Sequence, residues 1–82
     1  MDFNLLVAAN IRRKRNAAGM TQEQVARSAG ISPQHLSKIE RCACSPTVST
    51  LVKIADCLDT SPGSFFDEAD MDTLIYLYTN LE

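Results

Sequence analysis

The 82-residue sequence predicts an all-α fold of four to five short helices, and three observations carry that expectation. Gly19, Gly30, the Ser45-Pro46 pair and Ser61-Pro62-Gly63 cut the chain into pieces of roughly 10–15 residues, a helical length. Within each piece the apolar residues recur at helical spacing, and none alternates strictly over a long stretch. The breaks themselves carry helix-ending glycines and helix-starting Ser/Thr-Pro or Thr-x-x-Gln chemistry. A hydrophobic content of 45% is enough for one small core, while the length excludes two domains, a Rossmann unit with its partner, or a barrel.

The first helix is expected over about residues 4–18, with Val7, Ile11 and Ala18 on one face. Its last turns hold Arg12, Arg13, Lys14 and Arg15, cations that complement the negative end of the helix dipole, and Gly19 supplies the left-handed residue that ends it. Thr21-Gln22-Glu23-Gln24 is a capping box, in which Thr21 accepts from the Gln24 amide and Gln24 reaches back. The short helix it opens turns Val25, Ala26 and Ala29 inward and stops at Gly30. Ser32-Pro33 gives the third helix an N-cap and an N1 proline, with Leu36 and Ile39 facing the core. The fourth starts near Thr47 and is expected to bury Val48, Leu51, Ile54, Ala55 and Leu58. A brief turn over residues 61–66 follows, again with a serine cap and a proline at N1.

The net charge is −2, which alone argues against a nucleic-acid partner. The average conceals an asymmetry. All eight cations lie between Arg12 and Lys53 with Glu23 and Glu40 as the only acids there, which leaves that stretch at +6. Residues 54–82 hold seven acids and no lysine or arginine. No run of 18 apolar residues is present and the first ten residues do not read as a signal peptide, so a cytoplasmic protein without a membrane partner is expected. Three cysteines, one histidine and no C-x-x-C pair support neither a disulfide framework nor a four-ligand zinc site. Cys57 reads as a small buried hydrophobe.

Two short helices joined by a turn of about four residues, between Gln22 and Arg41, have the dimensions of a helix-turn-helix. Ala26 is small where the following helix crosses, Gly30 permits the sharp turn, and Leu36 with Ile39 pins the later helix. Its opposite face displays Gln34, Ser37, Lys38 and Arg41, with His35 close by. Together with Ile11 to Arg15, Gly19 to Ala26, Ala29 to Ser32, Leu36 to Arg41, Ser45-Pro46-Thr47, Leu51 to Ala55, Leu58 and Phe65-Phe66, this text resembles the lambda-repressor-like, XRE-type helix-turn-helix family over about residues 5–66.

The resemblance implies a sequence-specific regulator of transcription that binds a double-stranded DNA operator, with residues 32–41 as the recognition helix in the major groove. Carried over by position, Pro33, Gln34, Ser37 and Lys38 are the base-facing candidates. Gln34 can pair with adenine N6/N7 and Lys38 can donate to guanine O6/N7, although a plain phosphate contact suits Lys38 equally. Pro33 offers no donor, so its base contact is limited to an apolar one. Gln22 matches a phosphate-binding position at a helix N-terminus, and Arg13, Arg41 and Lys53 are further phosphate candidates whose plainer reading is a solvated charge. Arg15 and Glu40 are implied to form a partly buried structural ion pair. Leaving either charge alone would cost about 3–5 kcal/mol. Many members of the family carry Gly at the position of Cys42 and basic residues at those of Ala43 and Cys44, so Cys42 is expected to strain a left-handed cap. Two thiols beside DNA raise a second reading as a redox or metal sensor, against a plain one as semi-exposed loop residues.

After Phe66 the chain turns acidic and then apolar. Met71, Leu74, Ile75, Tyr78 and Leu81 form a helical stripe, while the strand formers between Leu74 and Thr79 keep a β-strand open. The expected organisation is therefore a DNA-binding domain over residues 1–66 and a homodimerisation segment over 67–82, with dimers reading two-fold-related half-sites. A tail folded back on its own domain is the alternative. No catalytic constellation, cofactor motif or small-molecule site is evident, and an enzyme is not expected. A protein-interaction module that keeps the fold without binding DNA is the competing function. Size and the lack of a sensor resemble restriction–modification controllers and small phage or mobile-element repressors alike.

Overall fold

Three of the four helices begin where the sequence places side-chain caps. A computed structural model describes residues 3–67, and among these it shows α1 (Phe3–Ala17), α2 (Gln22–Ala29), α3 (Pro33–Glu40), α4 (Val48–Cys57) and a final 3₁₀ turn (Pro62–Phe66), with no strand. Thr21 Oγ1 accepts from the Gln24 amide at 3.1 Å while Gln24 Oε1 accepts from the Thr21 amide at 2.9 Å, the two halves of a capping box. Ser32 Oγ accepts from His35 N at 3.0 Å and Thr47 Oγ1 from Thr50 N at 3.1 Å.

Each helix also ends in the same way. A residue with positive φ follows, and the amide beyond it reaches back to the carbonyl five residues earlier: Met20 to Arg15, Ile31 to Ala26, Ala43 to Lys38 and Thr60 to Ala55, at 2.8–3.1 Å. The residues in the left-handed region are Gly19, Gly30, Cys42 and Asp59, with φ of 69°, 74°, 62° and 54°. The strain expected at Cys42 is therefore present, and Asp59 shares it.

The core gathers Val7 and Ile11 of α1, Val25, Ala26 and Ala29 of α2, Leu36 and Ile39 of α3, Leu51, Ile54 and Ala55 of α4, and Phe65 of the turn. α2 packs on α3 and α4, and α1 closes the assembly against α3 and the turn. Ala26 of α2 is fully buried, consistent with its small size. An edge-to-face contact between Phe3 and Phe66, with ring centroids 6.4 Å apart, adds to the junction of α1 and the turn.

Four details depart from the helical-wheel expectation. Ala18 is exposed beyond the end of α1, and the inner surface of that helix is instead the continuous buried run of residues 6–11, covered on more than one side. Val48 is 76% exposed, because the first turn of α4 overhangs the core and burial starts at Leu51. Leu58 and Cys57 are only partly buried against the core edge. Ser61 makes no side-chain cap; its carbonyl instead accepts from the Ser64 hydroxyl at 2.7 Å. The expected stripe of Met71, Leu74, Ile75, Tyr78 and Leu81 lies outside the described residues. Among the described residues no helix is long and apolar enough to cross a membrane.

Candidate nucleic-acid interface

α3 is held by one face only. Leu36, Ile39 and Glu40 are buried, while Pro33, Gln34, Lys38 and Arg41 are exposed and Ser37 is half-buried. The outer five residues line one shallow, open depression along the helix. This follows from the spacing, since residues 33, 37 and 41 fall one above another and 34 and 38 lie beside them. All four base-facing candidates are thus brought together, with Arg41 as a fifth member.

Arg41 is partly ordered already. Its Nε donates to the Ser37 carbonyl at 3.3 Å and to Ser37 Oγ at 3.2 Å, which lays the guanidinium along the helix. Neither Lys38 nor Arg41 has an ion-pair partner among the described residues, so this face presents uncompensated positive charge.

Arg15 and Glu40 meet in a two-point fork, Nε to Oε2 at 2.8 Å and Nη2 to Oε1 at 3.0 Å, with side chains 11% and 2% exposed. Arg15 Nη1 also donates to the Met20 carbonyl at 2.9 Å, so the pair ties α1 to the end of α3 and to the approach to α2. Gln22 stands at the start of α2, where it donates from Nε2 to Glu40 Oε1 at 3.1 Å. That bond was not foreseen from the sequence.

The other two phosphate candidates are not brought to the α3 face. Arg13 is exposed, and its Nη2 donates to Asn10 Oδ1 at 3.0 Å beside the 3₁₀ turn. Lys53 lines a separate depression with Ser28, Ala29, Asp56 and Cys57. Sequence reasoning also missed Asn10. This buried amide donates to the Phe65 carbonyl at 2.8 Å and the Asp67 carbonyl at 2.7 Å while accepting from Arg13. Its signal was one polar residue within an otherwise apolar stretch over residues 5–11.

The loop after α3 is tied to the first turn of α1. The Cys42 thiol donates to the Asn4 carbonyl at 3.7 Å, Ser45 Oγ donates to Asn4 Oδ1 at 3.0 Å, and Cys44 packs on the core edge. No group of three or more metal-ligating side chains occurs among the described residues.

Comparison with known proteins agrees with this geometry. The sequence model of the helix-turn-helix family matches residues 11–65. The uncharacterized HTH-type transcriptional regulator y4dJ of Sinorhizobium fredii is 44% identical over 61 residues, covering 74% of this chain and 79% of that protein. The control protein C.SmaI of Serratia marcescens is 36% identical over 61 residues, covering 74% and 73%. The crystal structure of a hypothetical transcription factor, NHTF, from Neisseria superposes with a TM-score of 0.77 at 25% identity, over 93% of this chain and 85% of that one. The capped helices, the open face of α3 and these matches together place the chain in the lambda-repressor-like, XRE-type helix-turn-helix family of transcriptional regulators.

Proposed function

We propose that the chain acts as a sequence-specific regulator that binds double-stranded DNA as a homodimer, each copy laying α3 in the major groove. The observation that carries the reading is the single open face of α3, where Pro33, Gln34, Ser37, Lys38 and Arg41 line one depression with no acid among them. Gln34 and Lys38 offer hydrogen bonds that can read adenine and guanine edges, Ser37 a hydroxyl, and Pro33 an apolar contact. Gln22, at the positive end of α2, and Arg41 meet phosphates. Arg13 and Lys53, on other surfaces, add to the general attractive field rather than to the docking face. Dimerisation is assigned to the segment carrying Met71, Leu74, Ile75, Tyr78 and Leu81, which supplies more apolar surface than a closed small domain hides.

Selection of bound duplexes from a random pool gives the half-site, the spacing and the symmetry at once. Two half-sites about one helical turn apart are expected. Affinity for the selected duplex, followed as salt is raised, should fall with a log–log slope of about −5 to −9, for roughly 6–10 neutralised phosphates in a dimer. A slope near zero would instead favour a protein-interaction module that has kept the fold.

A further inference from the structure

The carboxylate of Glu40 serves three donors. Oε2 accepts from Arg15 Nε at 2.8 Å, and Oε1 accepts both Arg15 Nη2 at 3.0 Å and Gln22 Nε2 at 3.1 Å. α1, α2 and the end of α3 therefore meet at one buried group, directly behind the first residue of α2.

Two physical consequences follow for Gln22. A half-exposed glutamine at a helix start is ordinarily free to rotate and to turn either end of its amide outward. A carboxylate only accepts, so the end turned toward Glu40 is the nitrogen, and the orientation of the whole amide is fixed with it. One Nε2–H is engaged in this way, and the second remains for an acceptor outside the protein. A bare buried carboxylate so close to the surface would repel a phosphate, but the Arg15 fork makes the pair neutral.

We propose that Glu40, neutralised by Arg15, is a positioning residue for DNA binding: it holds the Gln22 amide so that its second N–H meets a backbone phosphate at the start of α2. The inference rests on the reading of Gln22 as a phosphate contact, and deepens it by assigning the group that prepares the contact. The ion pair then has a use beyond tying helices together, since it removes ordering entropy from the binding step.

A double-mutant cycle tests this on the full chain with a selected duplex. The pair is replaced by apolar side chains of similar volume, Arg15→Met with Glu40→Met, a change that in other buried pairs is neutral or stabilising. This replacement is combined with Gln22→Ala, and each protein is followed by urea unfolding and by dissociation constant at fixed salt. Gln22→Ala is expected to weaken binding about two- to tenfold, the scale of ordering one side chain. The pair replacement should weaken binding by a similar factor when Gln22 is present and by less than about twofold in the Gln22→Ala background. Equal losses in both backgrounds, or no loss in a stably folded pair-replaced protein, would overturn the positioning role and leave Gln22 as a contact. Unchanged affinity in Gln22→Ala would overturn the contact itself, and the proposal with it. If the replaced pair does not fold, the Gln22 side-chain amide of the unmodified free chain is followed by NMR relaxation instead: an ordered Nε2 group is expected, and one averaged over rotamers would overturn the positioning role.

Discussion

At Asn10 a single buried amide decides how the chain closes. Its two N–H groups go to the Phe65 and Asp67 carbonyls, and its oxygen takes a hydrogen from Arg13, so every part of the group has a partner. Asn10→Leu keeps the volume but strands two carbonyls, and we expect it to lower stability by about 2–6 kcal/mol, at one to three for each unsatisfied group. Urea unfolding with an unchanged slope checks this; a loss below about 0.5 kcal/mol would mean that water replaces the amide. Asn10 was visible in the sequence only as a polar intrusion, because its partners lie 55 and 57 residues away and nothing local points to them. The Arg15–Glu40 fork was legible through resemblance, yet its third member was not. Whether Gln22 reaches Glu40 depends on how α2 crosses α3, which spacing along one helix does not contain.

The helices show where local reading works. Thr21, Ser32 and Thr47 cap in place because their chemistry is local, and Gly19 and Gly30 mark two ends because glycine enters the left-handed region freely. The other two ends use Cys42 and Asp59, where the handedness is imposed by the bonds from Ala43 to Lys38 and from Thr60 to Ala55 rather than by the residue. Cys42→Gly should therefore stabilise the fold by about 1 kcal/mol, the cost of a left-handed β-carbon. Thermal unfolding under reducing conditions measures it. A destabilised variant would show that the thiol contact with Asn4 outweighs the strain. Val48 illustrates the opposite failure. Periodicity places it on the inner face, but only the assembled core decides how far along α4 that face is covered.

For the whole molecule, the net charge of −2 is less informative than its arrangement, with the cations confined to residues 12–53 and seven acids beyond them. The core described above lies within residues 3–67, so a chain ending at residue 67 is expected to keep a cooperative melt. It should sediment as a monomer and bind DNA with about half the salt slope of the full chain, because each copy then counts its own phosphates. A truncated chain that still sediments as a dimer would sink the assignment of the C-terminal segment. Composition and punctuation made the all-α body readable, whereas the tail set a helical stripe against a run of strand-forming residues and left its own structure undecided. The Asn10 contacts bear on time as well as on strength. They close a ring that spans most of the described chain, and so long a ring costs more chain entropy than any neighbouring contact. Such a clasp is expected to form late, and because Phe65 is fully buried in the core the 3₁₀ turn cannot leave without exposing that ring. The lifetime of this latch, more than the strength of any helix, would then set how long Phe65 stays shielded from water.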